Sequence, residues 1–181
     1  RLGYGGIACD MAALLGERDV VRFDPGQQDA DIRIRLDLIQ TLRRKRPLTS
    51  QGATIDHSAL RRVIRVADHL RRQMGCKTED GNSMPIGWLL GWAYPDRIAR
   101  RRPGARGKFL LTNGRGAYLE PASPLAAEEF LVAVELDGER REARIFRAVA
   151  YSLDILSEQF AEQLRWLEAV DWDSDRLAVV A

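Results

Sequence analysis

Between Asp96 and Leu119 stand seven basic side chains and a single acid. The bases are Arg97, Arg100, Arg101, Arg102, Arg106, Lys108 and Arg115, and the acid is Asp96. Trp92, Tyr94, Phe109 and Tyr118 flank and interleave them. Phosphates call for positive charge and unpaired bases for flat faces, so this composition suits contact with a single nucleic-acid strand. The residues expected to touch that strand are Tyr94, Arg97, Arg100, Arg101, Arg102, Lys108, Arg115 and Tyr118. A plainer reading stands beside this one: a solvated loop next to a core strand. In that case Arg97 and Arg100 are strand residues that pair with the acidic second hairpin, over residues 130–151.

Charge patterning keeps both readings open. Residues 1–119 hold 22 Lys and Arg against 12 Asp and Glu, and residues 120–181 hold 6 against 14. The overall balance is only +2, so a basic front and an acidic back could neutralise each other internally. Of the 28 basic residues 25 are Arg. The guanidinium forks onto phosphate and stacks on bases, although a GC-rich genome produces the same bias.

Other chemistries find no support. There is no GxxxxGK[ST] phosphate loop for a nucleoside triphosphate. Asn113-Gly114-Arg115-Gly116 sits between two strand-like runs, not between a strand and a helix, and does not read as a dinucleotide site. His57 and His69 lie twelve residues apart without HExxH-type spacing. Ser83 and Ser123 have no evident triad partners. Cys9 and Cys76 are two isolated cysteines outside any CxxC pattern, which excludes a disulfide scaffold and suits a reducing cytoplasm. No metal site and no catalytic residues are expected.

The elements that must position the basic cluster follow from periodicity. The 181 residues are 45% hydrophobic and 30% charged, a globular composition. No apolar run approaches the roughly 18 residues of a membrane span. The chain opens at Arg1 without a signal-peptide pattern and reads as a piece of a longer protein. Ile7, Met11, Leu14 and Leu15 share one helical face. Ile32–Ile39 alternates like a strand, yet Ile32, Leu36, Ile39 and Leu42 also fit a helix that Asp29 and Asp31 would start; helix is preferred. Leu60, Val63, Ile64, Ala67, Leu70 and Met74 stripe a third helix, capped by Asp56 or Ser58 and stopped by Gly75. Its Arg61, Arg65, Asp68 and Arg72 read as a solvated face. Pro85 opens a fourth helix, whose Trp88 and Trp92 read as core, and Pro95 ends it.

Beyond Pro95 strands take over. Lys108–Thr112 and Ala117–Glu120 flank the Asn-Gly turn, and Phe130–Leu136 and Glu142–Tyr151 flank Asp137-Gly138. A short helix carries Leu153, Leu156, Phe160 and Leu164, and a third hairpin centres on Asp173-Ser174-Asp175. The fold expected is α+β: a helical domain over residues 1–95, then an oligonucleotide-binding-like β-barrel over 96–181, incomplete at its C-terminal end.

Three strings go further. LLGWAYPDRIARRR (Leu89 to Arg102), GKFLLTNGRGAYL (Gly107 to Leu119) and EEFLVAVELDGERREARIF (Glu128 to Phe146) resemble the HrpB family of bacterial DEAH-box ATP-dependent helicases. ACDMAALLGERD (Ala8 to Asp19) and DADIRIRLDLI (Asp29 to Ile39) resemble the helicase-associated helical region of the same family. The resemblance implies a cytoplasmic fragment downstream of two RecA-like ATPase domains, which lie outside this chain and would carry ATP and Mg2+. It implies a helical, ratchet-like domain followed by the barrel, closing over those ATPase domains along the path of single-stranded RNA or DNA. The alternative is an interaction module that docks on the ATPase domains or a partner without touching nucleic acid.

Overall fold

The computed structural model describes residues 3–24, 26–48, 52–76, 86–139, 141–164, 171–173 and 178–180. Four helices and a small sheet form one layer, and a barrel forms the other. Helix α1 (Gly5–Gly16) packs on α3 (His57–Met74) and α2 (Ile32–Arg43). Residues 32–39 are therefore helical. Asp31 caps α2 by accepting from the Arg33 amide at 2.9 Å, so a cap overrides the strand-like alternation. Asp56 accepts from the Ser58 and Ala59 amides to start α3, and Gly75, at φ 62°, ends it in the left-handed conformation. Met74 departs from the expected stripe and is 67% exposed.

Two three-residue strands escaped the sequence reading. β1 (Val21–Phe23) pairs antiparallel with β2 (Ala53–Ile55). Beside them Arg35 is 2% exposed. It donates to Asp19 and to the Asp29 and Asp31 carbonyls, and its guanidinium lies 5.1 Å from the Phe23 ring centroid. A buried cation is tolerable only when paired and bonded in this way.

Helix α4 (Ile86–Ala93) leads through a 3-10 turn at Pro95–Arg97 into the barrel. The expected start of α4 at Ser83 and Pro85 lies outside the described residues. Trp88 and Trp92 are not the core residues expected: Trp88 is half-buried and Trp92 is 55% exposed. They meet edge to face at 6.1 Å, and Trp92 tilts against Phe160 at 5.7 Å.

The barrel strands are β3 (Ile98–Arg101), β4 (Lys108–Leu111), β5 (Gly116–Tyr118), β6 (Phe130–Leu136) and β7 (Glu142–Ala150). They close in the order β3-β4-β5-β7-β6. The expectation of an incomplete barrel is thereby corrected, because parallel pairing of β5 with β7 and antiparallel pairing of β3 with β6 leave no edge among the five. The third hairpin forms a separate two-stranded sheet, β8 (Asp171–Asp173) with β9 (Ala178–Val180), and its turn lies outside the described residues. Between β4 and β5 only Gly114 takes positive φ; Asn113 instead accepts from the Arg115 amide at 3.1 Å.

Alternation along the strands sends one set of side chains inward. Ala99, Phe109, Leu111, Ala117, Leu119, Leu131, Ala133, Ile145 and Ala148 fill the barrel. Ile98, Val132, Val134 and Val149 belong instead to a second core, shared with Leu14, Leu36, Leu60, Leu90 and Tyr151. Helices and barrel are thus joined by continuous apolar packing. Helix α5 (Leu153–Gln159) completes this junction, where the Tyr151 hydroxyl donates to Gln159 Oε1 at 2.5 Å.

Candidate nucleic-acid interface

Four of the eight expected contact residues share the outer face of the barrel. Strand register aligns Phe130, Arg100, Leu110, Gly116 and Glu142 in one row across β6, β3, β4, β5 and β7. The next row aligns Lys108, Tyr118 and Arg144. Arg102 lies over Gly116: a Cβ there would meet Arg102 Nη2 at 2.6 Å and Glu142 Oε1 at 2.7 Å. Arg100, Arg102, Lys108 and Tyr118 therefore converge, joined by Arg144, which the sequence reading did not single out. Leu110 stands among them 47% exposed.

Acids from the other half of the chain meet several of these cations. Arg102 pairs with Glu142 at 3.0 Å, Arg144 with Glu120 at 3.0 Å, and Arg100 approaches Glu129 at 3.7 Å. Arg100 also lies 5.8 Å from the Phe130 ring centroid. Lys108 is exposed and has no ion pair among the described residues. The pairing with the second hairpin that was expected of Arg97 and Arg100 is not what forms: Arg100 approaches Glu129, the residue before β6, and Arg97 has no ion pair among the described residues.

The other four expected residues are placed elsewhere. Tyr94 is half-buried against the shared core, with the Arg97 guanidinium 4.8 Å from its ring centroid. Arg97 Nη1 donates to the Val134 carbonyl at 2.8 Å. Arg101 Nε donates to the Glu128 carbonyl at 3.2 Å, and Arg115 Nη2 donates to the Glu139 carbonyl. These side chains fasten turns and strand ends, so the geometry does not bring them to the shared face.

A second basic surface lies on the helical layer. Leu42, Arg43, Ser58, Arg61, Arg62, Ile64 and Arg65 line a cleft of about 710 Å³ between α2 and α3. The sequence reading gave Arg61 and Arg65 to a flat solvated face; the end of α2 makes that face concave. Arg43 is neutralised by Asp68 at 2.6 Å and Asp10 at 3.1 Å, and Arg62 only approaches Glu17 at 3.8 Å. Arg61 and Arg65 have no ion pair among the described residues. Leu42 and Ile64 supply an apolar floor on which a base or ribose can rest. Asp10, buried beneath Arg43 and Arg71, has its carboxyl held above the usual range, because burial outweighs the two guanidiniums.

A helical layer sealed to a closed five-stranded barrel of the oligonucleotide-binding type defines the class of protein to which this chain is built. No family model matches it. It is similar to the ATP-dependent RNA helicase HrpB of Escherichia coli strain K12, with 33% identity over 109 residues, 59% of this chain and 13% of that protein. The crystal structure of the E. coli DExH-box NTPase HrpB matches with a TM-score of 0.64 and 25% identity, over 97% of this chain and 19% of that one. A second structure, of the Escherichia coli DEAH/RHA helicase HrpB, shares the fold at a TM-score of 0.54 and 21% identity, over 97% of this chain and 18% of that one. In sequence and fold the chain resembles a fragment of a HrpB-like DEAH helicase, and it spans less than a fifth of the relatives it matches. Among the described residues no helix is long and apolar enough to cross a membrane.

Proposed function

We propose that this chain is an accessory nucleic-acid-binding part of an ATP-dependent superfamily 2 helicase of the DEAH/RHA type. It holds a single strand, RNA or DNA, while RecA-like domains outside it hydrolyse ATP in the cytoplasm. The observation that carries this reading is the shared outer face of the barrel. There Lys108, Arg100 and Arg102 surround Tyr118 and the exposed Leu110, so phosphate-binding charge and base-binding surface lie side by side. The α2–α3 cleft, with Arg61 and Arg65 above an apolar floor, offers the strand a second hold. Among the described residues, Lys108 and these two arginines have no acid to displace. The domains assigned are a helicase-associated helical domain over 1–95 and the barrel region over 96–181. ATP and Mg2+ belong to the RecA-like domains, since this sequence holds no phosphate loop.

Titration of the chain into labelled single strands of about 12–16 nucleotides, by fluorescence anisotropy across a salt series, tests the reading. Micromolar affinity that falls steeply with salt is expected. Lys108→Ala with Arg100→Ala and Arg102→Ala should weaken binding to all sequences alike and flatten the salt dependence. Unchanged affinity in that triple variant removes the barrel face from the site.

One observation favours a second reading, an interaction module that docks on the ATPase domains or another protein. Arg100, Arg102 and Arg144 already face carboxylates, and Leu110 at 47% and Phe146 at 44% exposure place apolar area among them. Binding of the isolated RecA-like domains without any binding of strands would select it.

A further inference from the structure

Cys9 and Cys76 are separated by 66 residues of sequence and come together in the fold. Cys9 sits in α1, 6% exposed, and α1 packs against α3. Arg71, in the last turn of α3, reaches across that contact. Its Nη2 donates to the Gly6 carbonyl at 3.0 Å and to Asp10 Oδ2 at 2.7 Å, bracketing the turn that carries Cys9. The left-handed Gly75 then folds the chain back, and the Cys76 amide donates to the Arg71 carbonyl at 3.0 Å. This brings the Cys76 thiol within hydrogen-bonding reach of the Cys9 thiol. The two differ in access: Cys9 is buried and Cys76 is partly open to solvent.

We propose that Cys9 and Cys76 form a redox modification site, a thiol pair that closes to an intramolecular disulfide between α1 and the end of α3. The oxidant is hydrogen peroxide. The Cys76 thiolate attacks its terminal oxygen, the O–O bond breaks, and a sulfenic acid forms on Cys76 with hydroxide leaving as water after protonation. Cys9 Sγ then attacks Cys76 Sγ, the S–O bond breaks, and the Cys9 proton departs with the second water. Two thiols and one hydrogen peroxide thus give one disulfide and two waters. The partly open thiol is the one the oxidant can reach, and the buried thiol resolves it. Burial pushes the Cys9 thiol up, which disfavours its thiolate, so the first attack on peroxide falls to Cys76. The disulfide fastens α1 to α3, the helix that carries Arg61 and Arg65, so redox state would set the rigidity of the helical layer. This site stands independently of any contact with nucleic acid.

The test is oxidation of the whole chain with hydrogen peroxide, followed by thiol counting in denaturant and mass spectrometry of a non-reducing digest. The expected result is loss of both thiols, a mass lower by two hydrogens, one Cys9–Cys76 linked peptide within a single chain, and full reversal by dithiothreitol. In Cys9→Ser, Cys76 should be trapped as a sulfenic acid by dimedone. In Cys76→Ser, Cys9 should stay reduced under the same dose. Cys76 driven to sulfinic acid with Cys9 still free, linkage only between chains, or two intact thiols would each overturn the proposal.

Discussion

Replacing Glu142 with Gln asks whether Arg102 is kept for a strand or for the barrel. The pair is 3.0 Å apart, with the two side chains 39% and 40% exposed. A partly exposed pair of this kind is worth about 0.2–1 kcal/mol. A phosphate that binds Arg102 must displace Glu142, so that energy opposes strand binding. Glu142→Gln keeps the shape and removes the opposition, and affinity should rise by about 1.5–5-fold. The freed guanidinium adds up to one phosphate contact, and the slope of log K against log salt should steepen by up to about 0.7 for a single strand. Arg102→Ala should move both quantities the other way. Anisotropy titrations at three salt concentrations measure both, and a urea melt checks that stability shifts by no more than about 1 kcal/mol. Unchanged affinity and slope in Glu142→Gln would refute the reasoning and leave Arg102 as a cross-strand tie.

Phe109 is fully buried inside the barrel, so Phe109→Ala should cost about 3–5 kcal/mol in urea unfolding, because the five-stranded wall cannot collapse into the gap. Gly91→Ala pits helix propensity against packing. The new Cβ would meet the Tyr151 hydroxyl at 2.9 Å and Gln159 Oε1 at 3.1 Å, and the variant should be less stable despite the roughly 1 kcal/mol that Ala otherwise gains over Gly in a helix. Burial pushes the Tyr151 phenol up to about 12. An unfolded phenol ionises near its ordinary value of 10.0, so between pH 10 and 12 the native state holds the extra proton and this group's contribution to stability is lost as pH rises. A Tyr151→Phe variant should show a shallower loss over that window in pH-dependent denaturation. The chain alone should hydrolyse no ATP, and turnover by clean protein in a phosphate-release assay would overturn the assignment of ATP to the RecA-like domains.

Legibility in the sequence followed the strength of local signals. β6 was readable to its exact ends because Phe130–Leu136 is an apolar run interrupted only by Glu135 and set against Asp137-Gly138. Asp56 and Gly75 marked α3 for the same reason: cap chemistry is local. β1 and β2 were invisible, since three residues establish no period and their pairing spans about thirty positions. Trp92 was misplaced because an aromatic at helical spacing does not say whether the facing layer reaches it. The cysteine pair was illegible in principle. Only the crossing of α1 over the end of α3 makes Cys9 a neighbour of Cys76.

The charge pattern shows most clearly what a sequence overstates. Counting bases from Asp96 to Leu119 treats each as available. The barrel brings the acidic half of the chain back alongside them, with β7 beside β5 and β6 beside β3. Glu142, Glu129 and Glu120 come to face Arg102, Arg100 and Arg144, and backbone carbonyls take up Arg97, Arg101 and Arg115. Closing the barrel therefore converts most of a basic cluster into cross-strand fastening. Among the described residues the cluster keeps Lys108 on the outer face without an ion pair, and the helical cleft adds Arg61 and Arg65. The proposal of a strand-binding surface therefore rests on a few placed cations and not on the number of arginines.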